Sequence, residues 1–266
     1  MQSKYFTIKV PIAIPSVATN GQHAVFADTH VLFNWTGFQM PRGGAKLLNV
    51  GLIAQCKLDA GATVNEFPVD LLFATSNASD LGALNTVPPE TGWASNIVGM
   101  VEITADQYQP DLDSRSFADA SRADTIADTL HGWGGGIVLA PAEPLSENSK
   151  TALNPGFSTM YIGGIAKDAW DFRSVMRSTA AKTVADDVAV AVDAVDPRKT
   201  FAIGDVLVNT TTADTSVQTA LGTVSALGAN LITFEGQPGS ALGAAVADDD
   251  YIYNKYPITL VLHFER

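Results

Sequence analysis

Cysteine is nearly missing from this sequence: Cys56 is the single thiol in 266 residues. One thiol excludes an internal disulfide framework and a cysteine-rich zinc site. Basic residues are also few, 16 Lys and Arg against 28 Asp and Glu, which sets the formal net charge at -12. A protein that grips a phosphate backbone needs clustered cations to displace counterions, so this balance argues against direct nucleic-acid binding. Charged residues amount to 17% while 46% are hydrophobic, the reverse of a disordered, solvating chain. No window approaches the roughly 18 uninterrupted apolar residues of a membrane span. The opening residues lack the apolar core and small-residue cleavage site of a signal peptide. Without a secretory context, the sequons at Asn34, Asn77 and Asn209 read as chance matches. No period of 20 to 50 residues recurs, which argues against a solenoid or propeller.

What the sequence has is β signal. Runs of β-branched and aromatic residues bounded by Gly, Pro, Asn or Asp predict strands at Lys4–Ile12, Val31–Trp35, Leu47–Leu58, Val69–Ala74, Ile97–Thr104, Gly136–Leu139 and Thr159–Ile165. The closing stretch from Pro257 to Phe264 is strand-like as well, so both ends of the chain are expected to lie in a sheet. Many of the prolines fall at or beyond strand ends, where a missing N–H costs least. Helical pattern is thin: Phe117–Leu130, with Phe117, Ile126 and Leu130 as its apolar points, reads as one short helix or an ordered loop. Short strands with Pro-rich turns predict an all-β sandwich or barrel.

The composition changes near Ser178. Thr179–Val195 is rich in Ala, Val and Asp and has no aromatic residue, and four or five short strands with tight turns follow it up to Tyr253. Gly222 is read as opening one of these strands and Gly228-Ala229-Asn230 as the next turn. About 70 residues suffice for a small barrel near the lower limit of independent folding. The final strand then matches the earlier, larger strands. The expected organisation is therefore a sandwich of residues 1–180 plus 255–266, with residues 181–254 inserted as a small β-barrel before the last strand.

Candidate chemistry fails on spacing or context. Asp111-Leu112-Asp113 begins like a calcium loop, but Arg115 stands where a ligand is needed and no Gly follows at the sixth position. Asp248-Asp249-Asp250 presents three adjacent carboxylates that point different ways on an extended chain, which suits a polar hairpin turn better than a cation site. The histidines His23, His30, His131 and His263 form no H-E-x-x-H and no pair at helical spacing. His263 alternates with Leu262 and Phe264, which assigns it to an exposed sheet face. The glycines from Gly132 to Gly136 lack the Lys-Ser/Thr and helix of a phosphate loop and read as a turn into a strand. Cys56 reads as a small buried hydrophobe on the face of Ala54 and Leu58. Trp35, Trp93, Trp133 and Trp170 suit either core packing or a sugar-stacking platform. A carboxylate pair for glycoside hydrolysis would come together only in the fold. No residue is singled out as catalytic, cofactor-binding or metal-ligating, no cofactor is implied, and the chain is read as not an enzyme.

Several segments carry a resemblance. Ser3-Lys4-Tyr5-Phe6, Phe26-Ala27-Asp28, Phe33-Asn34-Trp35, Met40-Pro41-Arg42-Gly43, Phe67 to Ala74, Asp196 to Leu207, Tyr253-Asn254, Pro257-Ile258 and Phe264-Glu265-Arg266 together resemble virion structural proteins of marine tailed bacteriophages, especially those infecting cyanobacteria. The likeness spans nearly the whole chain, and its motifs are structural. It implies a place in the virion, on the capsid surface, after synthesis in the host cytoplasm. The expectation is a capsid decoration, or cement, protein that binds the outside of the major capsid protein shell and stabilises it mechanically. Its fold would be a jelly-roll-like β-sandwich carrying an SH3-like barrel, and its partners the major capsid protein and further copies of itself, as a homotrimer. No direct nucleic acid and no membrane is expected among its partners. The alternative is a tail, fibre or other virion component that binds host-surface glycan, and a glycoside hydrolase-like enzyme is the third reading.

Overall fold

The computed structural model describes residues 4–14, 25–55, 66–89, 96–109, 115–121, 137–140, 157–172, 176–184, 188–193, 195–210, 219–236 and 242–266. The chain is nearly all β. Strand β1 (Tyr5–Ile12) turns Phe6, Ile8, Val10 and Ile12 away from solvent and leaves Tyr5, Thr7, Lys9 and Pro11 exposed, following its period-two sequence. β18 (Ile258–Glu265) does the same with Ile258, Leu260, Leu262 and Phe264. It pairs antiparallel with β1 from Tyr5↔Glu265 to Ile12↔Ile258.

These two belong to a six-stranded sheet that also contains β4 (Ala45–Gln55), β7 (Tyr108–Gln109), β8 (Arg115–Ser121) and β9 (Ile137–Leu139). The spatial order is β1-β18-β4-β8-β7, with β9 also against β4. A second sheet of four strands runs β3 (Val31–Pro41), β10 (Phe157–Ala166), β5 (Val69–Ala74), β6 (Ile97–Ile103). The two sheets enclose one apolar core that includes Val10, Leu52, Phe73, Met160, Ile162, Leu260 and Leu262. Each fully buried side chain of this kind contributes about 1.5–3 kcal/mol relative to exposure. A two-stranded pair of β2 (Val25–Phe26) and β11 (Trp170–Asp171) extends the core with Phe26, Phe67, Trp170 and Phe172, the Phe67 and Trp170 rings stacking at 4.4 Å.

At Gly163 and Gly164, β10 is approached on both faces. A Cβ on Gly164 would collide with the Phe33 ring, and one on Gly163 with Leu81 and Trp35. Behind this point the outer face of the four-stranded sheet is covered by the segment after β5. Asn34 pins that segment, accepting from Leu81 N at 3.2 Å and donating to Gly82 O at 3.1 Å, while Trp35 Nε1 donates to Ser79 O at 2.7 Å. Val31, Leu72 and Leu81 form a small separate core there.

The remaining strands are β12 (Arg177–Ser178), β13 (Ala189–Asp193), β14 (Val206–Thr210), β15 (Thr219–Leu227), β16 (Leu231–Phe234) and β17 (Tyr251–Asn254). They close a barrel in the order β12-β13-β16-β15-β14-β17 around Val190, Leu207, Val224, Ile232, Phe234 and Ile252. No residue of this core belongs to the sandwich core. The incoming and outgoing strands lie side by side, Arg177 opposite Tyr251. Two polar links join the barrel to the sandwich where β4 ends and β8 begins. Gln55 Nε2 donates to Thr200 O at 2.6 Å, and the Arg115 guanidinium pairs with the Asp205 carboxylate.

Three local readings change. Residues 117–121 of the expected helix or loop are strand: Ser116, Ala118 and Ala120 face inward against β4, and Phe117 and Asp119 face out. The barrel has six strands and starts before residue 181, because Arg177–Ser178 pairs with both β13 and β17. Gly222 lies inside β15, at φ 144°, where the register against β14 shifts, so it forms a bulge and does not open the strand.

Candidate functional site

The acidic run 248–250 is a turn in which each residue has its own direction. Asp249 takes a left-handed φ of 66°. Asp250 is buried and accepts from Asn209 Nδ2 and from Ala247 N, both at 2.8 Å, while its own N–H donates to Ser178 Oγ. Its carboxylate thus ties β14 to the turn before β17, and its N–H ties that turn to Ser178 on β12. Among the described residues, no three His, Cys, Asp or Glu side chains converge as a metal site would need. Asn209 is buried in the same network, and Asn34 holds the segment beneath it, so neither is an exposed acceptor for a glycan.

His263 lies on the outer face of β18, half-buried, with Nδ1 3.1 Å from Thr7 Oγ1 on β1. His30 is 3.1 Å from Asn85 Oδ1, which also accepts from Ala27 N. Trp170 is fully buried, which removes it from any sugar platform. Trp35 is half-buried against the Val31–Leu72–Leu81 core. Asn77 lies exposed in the segment after β5. His23, His131, Cys56, Trp93, Trp133, Asp111 to Asp113 and Gly132 to Gly136 lie outside the described residues.

One concave feature among the described residues is a groove that sequence reasoning missed. Among the described residues β1 pairs only with β18 and β3 only with β10, so each is the edge of its sheet there, and β1 and β3 lie against each other on one side of the sandwich. Between them runs a groove of about 360 Å³ lined by Phe6, Thr7, Ile8, Gln39, Pro41, Phe157 and Arg266. Its apolar wall is set from beneath, where Phe6 stacks on Phe264 at 5.1 Å. Phe157 is 40% exposed and Tyr5 57%.

Positive charge gathers at this edge of an acidic protein. Lys4 Nζ lies 2.5 Å from the Glu265 carboxylate, whose hydrogen bond and charge raise the lysine pKa above its ordinary value. Lys9 is exposed on β1, and Arg266 lines the groove. Directly after Pro41, Arg42 sits in the turn through Gly43 (φ 88°) and Gly44 (φ 81°). Its Nε and Nη2 are buried with no hydrogen-bond partner. An apolar wall, two sheet edges and flanking cations suit the holding of a polypeptide. The distance in sequence between β1, β3 and Phe157 explains why no local pattern announced the groove.

No protein-family model, no curated protein and no solved structure matches the chain.

Proposed function

We propose that the chain is a bacteriophage capsid decoration protein. Several copies, as a homotrimer, would bind the outside of the major capsid protein shell across joints between its subunits. The action is mechanical: area buried at each joint opposes internal pressure, and repeated weak contacts on a lattice gain through effective concentration. Closed three-fold symmetry fits the three-fold positions of an icosahedral shell. In this reading the sandwich is jelly-roll-like and faces the shell, and the barrel is SH3-like and projects.

The observation that carries it is where the phage-like residues lie. Phe33, Met40, Phe67, Val69, Leu71, Phe73, Tyr253, Ile258 and Phe264 are buried. Asp196 caps the helical turn Pro197–Thr200 that leads into β14. The segments that resemble virion proteins thus build cores and turns, so the resemblance lies in the framework of the fold. Weak charge over β surfaces agrees, since interface cores are depleted in charged residues. The glycan-binding alternative loses Trp170 to the core.

High-resolution imaging of intact particles tests the proposal. Density for this chain is expected at regular positions on the shell exterior. Copies confined to the tail, or no copies in the virion, would sink it.

A further inference from the structure

We propose that the outer face of the six-stranded sheet binds the same face of a second copy, about a two-fold axis parallel to the strands and midway between β18 and β4. The inference goes beyond the trimer on the shell and does not rest on it.

The register of the sheet leads to it. On the inner side, β1, β18, β4 and β8 give Val10, Leu260, Leu52 and Ala118 to the core. The outer side is built in rows. One row reads Lys9, Val261, Gly51, Asp119, and the next reads Pro11, Thr259, Ile53, Phe117. Ile53, Phe117 and Val261 are half-buried yet belong to no described core. Lys9 and Asp119 are exposed, and neither has an ion-pair partner among the described residues. Among the described residues a Cβ on Gly51 would meet only Val261, at 3.5 Å, so a shallow hollow lies beside that side chain. The links to the barrel, at Gln55 and Arg115, stand one row beyond Ile53 and Phe117.

These rows are complementary to themselves. Rotation about the stated axis exchanges β1 with β8 and β18 with β4. Val261 then lies over the hollow at the partner's Gly51, Lys9 over the partner's Asp119, and Phe117 over the partner's Pro11. An apolar centre with charge pairs at its rim is the anatomy of a protein interface. An axis across the strands would instead set Lys9 on Lys9 and Asp119 on Asp119, so charge selects the first arrangement. Twisted sheets stack in this way about 10 Å apart, with strands within about 30° of each other. Four strands at about 4.8 Å spacing and eight residues at about 3.4 Å cover about 500 Å² per copy. A standard interface covers about 800 Å² per partner, and net charge -12 on each copy opposes contact, so the association is weak.

Sedimentation equilibrium of the full chain, from about 10 μM to about 1 mM, should show the particle mass doubling with concentration. Lys9→Asp and Asp119→Lys, each alone, set like charges over one another and should weaken association at least about tenfold. An equimolar mixture of the two variants should associate as the parent does, because both charge pairs are then opposite again. Within one chain residues 9 and 119 are three strand spacings, about 14 Å, apart, beyond the screening length of about 8 Å, so this rescue cannot arise inside a copy. Both sites are exposed, and the thermal unfolding midpoints should not move. The proposal is overturned if the parent's mass does not double, if either variant alone associates as tightly as the parent, or if the mixture fails to associate. A trimer whose mass ignores all these changes would overturn it and leave the capsid proposal standing. Rescue by the mixture, with no copies of the chain in virions, would do the reverse.

Discussion

Gly164 shows how narrowly single residues fix this fold. Its missing side chain is the space that the Phe33 ring occupies, and the preceding residue, Gly163, does the same for Leu81. Gly164→Ala puts a methyl group into that ring. Overpacking of this kind costs about 1–3 kcal/mol, because neither a central strand nor a buried phenyl ring moves freely. Urea unfolding should show the free energy of unfolding lowered by that amount, and an unchanged midpoint would mean that the β3–β10 contact is looser than its geometry. Asn34 and Asn209 make the same point for polar side chains. In the sequence each sits in a sequon. In the fold each amide is spent on an internal hydrogen bond, to Gly82 O and to Asp250.

Among the elements, the helical turn Pro197–Thr200 gives a pH signature. Asp196 accepts from Arg198 N at 3.0 Å and holds the Arg198 guanidinium at 2.7 Å. The guanidinium hydrogen bonds hold the Asp196 pKa below its ordinary 3.8. The stabilisation is therefore complete above the unfolded value and is lost as pH falls through the lowered folded one. Asp196→Asn keeps a good N-cap but removes the charge. Thermal unfolding followed from pH 5 to pH 2 should fall less steeply in the variant than in the parent, and parallel curves would show that the pair contributes nothing to acid sensitivity. The strands around this turn were unequally legible. β1, β5 and β18 announce themselves because large apolar residues alternate or run together. β8 hides because it points Ser116, Ala118 and Ala120 inward and Phe117 outward, so its apolar period is inverted. β12 is a two-residue strand of Arg and Ser with no apolar signal at all. The groove belongs to neither kind, since it exists only where two sheet edges meet.

For the whole molecule, two cores that share no residue predict two separable units. Deleting residues 178–253 and bridging the gap with a short Gly-Ser linker should leave a sandwich that still unfolds cooperatively, since Arg177 and Tyr251 are already neighbours. Loss of the cooperative transition would show that the Gln55–Thr200 and Arg115–Asp205 links are essential to the sandwich. The position of β18 between β1 and β4 has a consequence in time. The ribosome makes β1 and β4 early, yet the strand that joins them comes after the barrel. At about 5–20 residues per second, β1 waits roughly 10 to 50 s for its neighbour β18. The barrel, complete at Asn254, can close first. β1 is thus sheltered only after the barrel that precedes β18 in the chain has been made, and its edge stays bare through that interval.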